Sequence, residues 1–107
     1  MILECASLCI VPGRQAGFEH AFAKAQRILV GTGGYLSHEL RRSIEHEHHY
    51  LLLVEWQTLE HHTLGFRKSP QFLRWRELLE PFFHAPPEVE HFDGVVPAGG
   101  MRHALLD

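Results

Sequence analysis

The run Tyr50-Leu51-Leu52-Leu53-Val54-Glu55-Trp56 is the feature that most restricts what this chain can become. It has the length and composition of a strand, and its nearly continuous apolar character predicts burial on both faces. A chain of 107 residues forms one domain with one core. It is too short to wrap both faces of a sheet in its own helices. The run therefore calls for helices on one face and a partner on the other, or for a larger sheet.

The segments around it alternate in period. Ile2 to Val11 is rich in β-formers and is ended by Pro12-Gly13, giving a first strand. From Arg14 to Val30, residues Phe18, Ala21, Phe22, Ala25, Ile28 and Leu29 share one helical face, while Glu19, Lys24 and Arg27 take the other. Gly31-Thr32-Gly33-Gly34 ends that helix; it follows a helix rather than a strand, so it is a loop and no dinucleotide fingerprint. Tyr35 to Ile44 returns to alternation, with Leu36, His38, Leu40 and Ile44 on one face and Ser37, Glu39 and Arg41 on the other. Glu45 to His48 is the expected hairpin turn and His49 to Gln57 the third strand. Thr58 is placed to cap a short helix over Leu59 to Leu64.

The stretch Gly65 to Phe83 then reads as a break, a capped start and an amphipathic helix. Ser69 can accept from the free N–H groups of the first turn, and Pro70 sits at the first helical position, where its missing donor costs nothing. Phe72, Trp75, Leu79 and Phe82 recur at spacings of three, four and three, one helical face, with Arg67, Arg74 and Arg76 beside it. Such an aromatic stripe is ordinarily core. Pro86-Pro87 stops the helix, Glu88 to Val96 alternates as a fourth strand, and residues 97–107 form a tail beyond a domain spanning residues 1–96. The order β-α-β-β-α-β predicts an α+β, ferredoxin-like fold, an antiparallel four-stranded sheet with helices on one face.

Composition narrows the function classes. The net charge is −3, and the basic residues are mixed with acidic ones, which argues against nucleic-acid and membrane surfaces. No apolar run approaches the roughly 20 residues of a membrane span. The N-terminus carries Glu4 and lacks a basic leader, so no signal peptide is expected. Cys5 and Cys9 lie four residues apart on one strand, hence about 13 Å apart along it, beyond the ~7 Å a disulfide can bridge. Free thiols and no targeting segment point to a reducing cytoplasm.

The run VEWQTLEHHTLGFRKSPQFLRWRELLEPFF, followed by PPEVEHFDGV, resembles the antibiotic biosynthesis monooxygenase domain of the dimeric α+β barrel superfamily. The matching pattern is a third strand ending in Glu55-Trp56, a polar helix start, Ser69 before an aromatic-rich helix, and a short last strand. The resemblance covers the chain from strand one to about Val96. It implies a homodimer whose sheets face each other as a barrel, which would cover the second face of the central run, and a pocket in each subunit between sheet and helices. Activities of that family include oxygenation of polycyclic phenols to quinones without a cofactor, haem degradation, and oxidation of small quinols or signal molecules. The haem-degrading branch resembles a constellation of Asn, Trp and a ligating His, and the matching positions here hold Ala6, Phe66 and Arg76. Without an imidazole at Arg76 that position offers iron no axial ligand.

The resemblance thus implies a monooxygenase, an oxidoreductase with no cofactor and no metal, acting on a small aromatic or polyketide-like substrate. Its rival is a non-catalytic member, stress-associated or holding a small ligand in the same pocket, since a fold alone does not fix function. Oxygenation without a cofactor requires the substrate to supply electrons, usually as a phenolate or enolate. The protein must then offer a flat aromatic slot, a cation for the anion and a base for the proton. His62, Arg67 and Arg76 are the candidate catalytic residues, and His38, Trp56, Phe66, Trp75 and His91 the candidate pocket residues. Each Arg is also of the type that commonly faces solvent or pairs with a carboxylate, and His61 and His62, adjacent on a helix, cannot both face one ligand. Ten histidines raise a metal hypothesis, and His46, His48 and His49 with Glu45 and Glu47 supply ligand types. Tight sites, however, draw ligands from separate elements, so this turn by itself reads as a solvated one.

Overall fold

The computed structural model describes residues 1–97 and 99. Four strands, β1 (Ile2–Cys9), β2 (Tyr35–Arg42), β3 (His49–Trp56) and β4 (Glu88–Asp93), form one antiparallel sheet in the order β2-β3-β1-β4. Two helices, α1 (Gln15–Val30) and α2 (Pro70–Leu79), supply the two crossovers of the ferredoxin-like pattern. The tail expected from Pro97 onward lies, apart from Pro97 and Gly99, outside the described residues.

Registers decide which side chains meet. Ala6 stands between Leu52 of β3 and Val89 of β4, and Leu52 in turn faces Leu40 of β2. With a side-chain period of two, Glu4, Ala6, Leu8 and Ile10 share a face with Tyr50, Leu52, Val54 and Trp56, and every one of these is buried. The core closes over them with Phe18, Phe22, Ala25 and Leu29 of α1 and with Leu79 of α2. This is the helical face predicted for the first helix.

Within the single chain the central strand is buried more deeply on its helix-facing side than on the other. Leu51 is 40% exposed and Phe92, on the same outer face, 45%. Both helices lie on one side of the sheet, so among the described residues no layer covers the other. Leu3, Cys5 and Leu53 share that outer face, to which the register assigns them.

Several details also differ from the sequence pattern, among them the fourth strand, which ends at Asp93 rather than Val96. β2 ends at Arg42, and Ile44, placed on its inner face by alternation, is 93% exposed in the loop beyond. A register shift between Tyr35 and Ser37 breaks the simple alternation at the start of that strand. The helix after Thr58 is a short turn that widens into a π-helix, His61–Phe66, with the Thr58 hydroxyl accepting from the His61 N–H. α2 stops at Leu79 because Pro81 forces a tighter 3₁₀ turn, Glu80–Phe82. Gly34, at φ +84°, lies against the His61 ring where a Cβ would collide, so glycine is needed there for both reasons.

Candidate functional site

A cavity of about 810 Å³ lies between the helix-facing side of the sheet and α2. Its floor is Ala6, Leu52, Val54 and Val89; its roof is Phe72, Trp75 and Leu79. The size is that of small-molecule sites in general, and the surfaces are apolar over most of their extent. Ser69 fixes the roof. Its hydroxyl accepts from the Phe72 N–H at 3.3 Å and donates to the Phe66 carbonyl at 2.7 Å, which joins the start of α2 to the end of the π-helix.

One end of the cavity is polar and deeply buried. Glu4 is 6% exposed and His62 3%. The Trp56 indole N–H donates to Glu4 Oε1 at 2.9 Å, and His62 Nε2 stands 3.4 Å from the same oxygen. On its other side, His62 Nδ1 is 2.8 Å from His91 Nε2. These contacts are all satisfied when His62 carries its proton on Nε2 and His91 donates from Nε2, a line running Glu4–His62–His91. The geometry follows from local rules. Glu4 and His91 are direct cross-strand partners, and the π-helical turn brings His62 and Phe66 against Trp56, with the His62 ring stacked at 5.3 Å and 19°.

Burial sets the protonation of this line. It pushes the Glu4 carboxyl up from its ordinary value, and the Trp56 hydrogen bond and the Arg67 charge only partly offset that. The same burial, helped by the neighbouring His91 and Arg67, lowers His62 to about 4. His62 is therefore a neutral imidazole at pH 7, beside a carboxyl whose affinity for a proton is raised. Arg67 lines the cavity near Glu4 and has no carboxylate partner among the described residues. Cation, imidazole and carboxyl thus converge on one end of an apolar slot.

The structure brings most of the candidate residues to this place and leaves others apart. His62, Phe66, Arg67, Trp75 and Arg76 line the cavity. Trp56 is fully buried behind them and acts through Glu4 and the His62 stack. His91 stands behind His62 on β4. Arg76 is at the cavity rim but its Nε donates to Glu80 at 2.8 Å, which makes it the carboxylate-paired type. His38 is not brought to the cavity. It accepts from the Tyr35 hydroxyl at 2.6 Å and donates to Gln26 of α1 at 2.9 Å, a closed network between β2 and α1. His61 turns away to Thr58 at 2.8 Å, while its neighbour His62 turns in.

Glu4 is the residue that the candidate set lacks. A signal for it exists in the sequence: Ile2, Glu4, Ala6, Leu8 and Ile10 share one face, so an acid sits within an otherwise apolar stripe. What makes it part of a site is the arrival of Trp56 and His62 from 52 and 58 residues further along, which no local pattern shows.

The family profile described as antibiotic biosynthesis monooxygenase matches residues 1–78. Among curated proteins, YczJ of Bacillus subtilis (strain 168), itself uncharacterized, is 47% identical over 95 residues, covering 89% of this chain and all of its own. A crystal structure from Bordetella bronchiseptica, named for the same family, superposes with a TM-score of 0.86 at 39% identity over 89% of this chain and 97% of that one. The fold alone is also shared, at 20% identity and TM-score 0.74, with SnoaB, a cofactor-independent oxygenase from Streptomyces nogalater, over 90% of this chain and 94% of that one.

Proposed function

Since the chain belongs to the antibiotic biosynthesis monooxygenase family, we propose that it is a cofactor-independent monooxygenase acting on a small aromatic or polyketide-like substrate. The observation that carries this reading is the buried Glu4–His62–His91 line at the end of an aromatic-roofed cavity, with Arg67 beside it. A flat phenol or anthrone fits between the floor of the sheet and Phe72 and Trp75. Arg67 holds the anion formed on deprotonation, and the Glu4 carboxylate takes the proton while His62, held in turn by His91, donates to it. Arg76, already paired with Glu80, positions the rim rather than the anion.

The substrate anion then passes an electron to O₂ and the radical pair joins at carbon. Breakdown of the peroxide leaves one oxygen atom as the new carbonyl; the other departs as water with two hydrogens of the substrate, both from the methylene carbon of an anthrone, or one from the ring carbon and one from the hydroxyl of a phenol. Relatives and fold neighbours named as monooxygenases or oxygenases support the reaction class. The free thiols Cys5 and Cys9 suit a reducing cytoplasm, and among the described residues no helix is long and apolar enough to cross a membrane. The apolar outer face of the sheet supports a homodimer in which two sheets cover each other.

Oxygen uptake by purified, metal-free protein against a panel of phenols and anthrones tests the reading. Uptake above background is expected, with the rate lowered by about 10²–10⁴-fold in Glu4→Gln, the range that removal of a general base gives. No uptake across the panel would overturn the enzymatic reading. The apolar floor and roof favour a second reading, a non-catalytic carrier of a small ligand. Under it the same compounds bind, and Glu4→Gln leaves oxygen uptake at the background rate of the parent.

A further inference from the structure

A second cluster of reactive side chains lies where β1 ends beside the β2–β3 loop. There the donor atoms of Cys9, His48 and His49 all fall within 4.8 Å of one another. We propose that these three residues form a binding site for a zinc-class transition-metal ion, separate from the cavity.

The sequence distance is bridged by the sheet. Cys9 and His49 are directly opposed in the β1–β3 register, so they stand on the same face. That is the outer face, since the alternate residues Leu8 and Tyr50 are buried beneath the helices. His48 is fixed against the same strand end because its carbonyl accepts from the Ile10 N–H at 2.8 Å. The turn is closed by the His49 N–H donating to the His46 carbonyl at 2.9 Å, and the Ser43 N–H donates to the His49 carbonyl at the same distance. The backbone carrying the donors is thus held before any ion arrives.

The donor set selects the ion. One thiolate and two imidazoles are borderline-soft ligands, suited to zinc and its neighbours and unsuited to magnesium or calcium. Donor atoms around one zinc lie roughly 3.5 Å apart, as follows from metal–ligand bonds of about 2.0–2.3 Å. Side-chain movements of about an ångström bring the donor atoms from within 4.8 Å to that spacing, and His49 is exposed. His46, whose ring centroid is 5.2 Å from that of His49, is in reach as a fourth ligand. Glu45 and Glu47 on the same loop add negative charge beside the cation. The turn alone offers ligands from one segment; Cys9 supplies the ligand from a separate strand that a tight site needs.

The test uses the full chain, reduced and stripped with a chelator, then titrated with Co(II) and with Zn(II). One cobalt per chain is expected, with a thiolate-to-cobalt charge-transfer band and the visible absorption of a tetrahedral ion, both abolished when Zn(II) is added. Cys9→Ser removes the band and weakens zinc binding at least about tenfold, the loss that even removal of an outer-shell partner brings. Cys5→Ser, on the same face but away from the loop, keeps both. If Cys9→Ser fails to fold, His48→Gln in the loop carries the decision and weakens zinc binding to a similar degree. A cobalt complex without the sulfur band, or zinc affinity unchanged in Cys9→Ser or in His48→Gln, overturns the proposal.

Discussion

His62 is kept neutral by its surroundings, and this leaves a mark on stability that can be measured. Its pKa falls from the ordinary 6.5 to about 4 in the folded chain, burial being the main cause. Between those two values the unfolded chain binds a proton that the folded chain refuses, so His62 draws stability down as pH falls from 6.5 to 4. Fully developed, the loss is about 3 kcal/mol. Glu4 acts in the opposite sense. Its raised pKa burdens the fold above that value, and the burden eases as pH falls and the carboxyl takes up its proton. Comparing the parent with His62→Gln separates the two, because Glu4 is present in both. Urea unfolding across pH 7 to 4 should show the parent losing up to about 3 kcal/mol relative to the variant. Parallel profiles would show that His62 titrates as a solvated histidine does.

At the scale of elements, the roof of the cavity depends on how α2 begins. Ser69 supplies both the cap of that helix and the tie to the π-helical turn through Phe66. Ser69→Ala removes both and should cost about 1–2 kcal/mol in urea unfolding, the upper part of the range for a lost cap. It should also weaken binding of any aromatic ligand, because Phe72 and Trp75 are positioned by that first turn. A variant as stable as the parent would mean that Pro70 and the packing of Leu79 set the start unaided. The π-helix is the other element on which the site depends. Its wide turn sends His62 inward while His61 pairs with Thr58, and Gly34 leaves room for the His61 ring. Spacing alone showed that the two histidines diverge; which one turns in was decided by Trp56 and Glu4.

For the whole molecule, the surface suited to a partner is the outer face of the sheet. Leu3, Leu51, Leu53 and Phe92 share it, and two such faces packed together would give the central strand the two-sided burial its composition calls for. Sedimentation equilibrium at micromolar concentration should find a dimer for the parent. Leu53→Glu places a charge in the middle of that face and should shift the species to monomer while far-ultraviolet circular dichroism stays unchanged. A parent chain that sediments as a monomer would leave the face without this partner.

The sequence by itself determined the order of elements, the inward face of α1, the capped start of α2 and the fold class. These are encoded in neighbours three or four residues apart along a helix, or two apart along a strand, so short-range periodicity suffices. The family resemblance was also legible, carried by the run from Val54 to Phe83. The tertiary structure alone decided that Glu4 meets Trp56 and His62, that His38 is tied to Tyr35 and Gln26 instead of the cavity, and that Cys9 stands opposite His49. Each of these is a pairing across tens of residues, set by strand register and by the way the helices pack on the sheet. One step of register would turn every strand residue to the opposite face, and that choice is made by the assembled core rather than by any local stretch of chain.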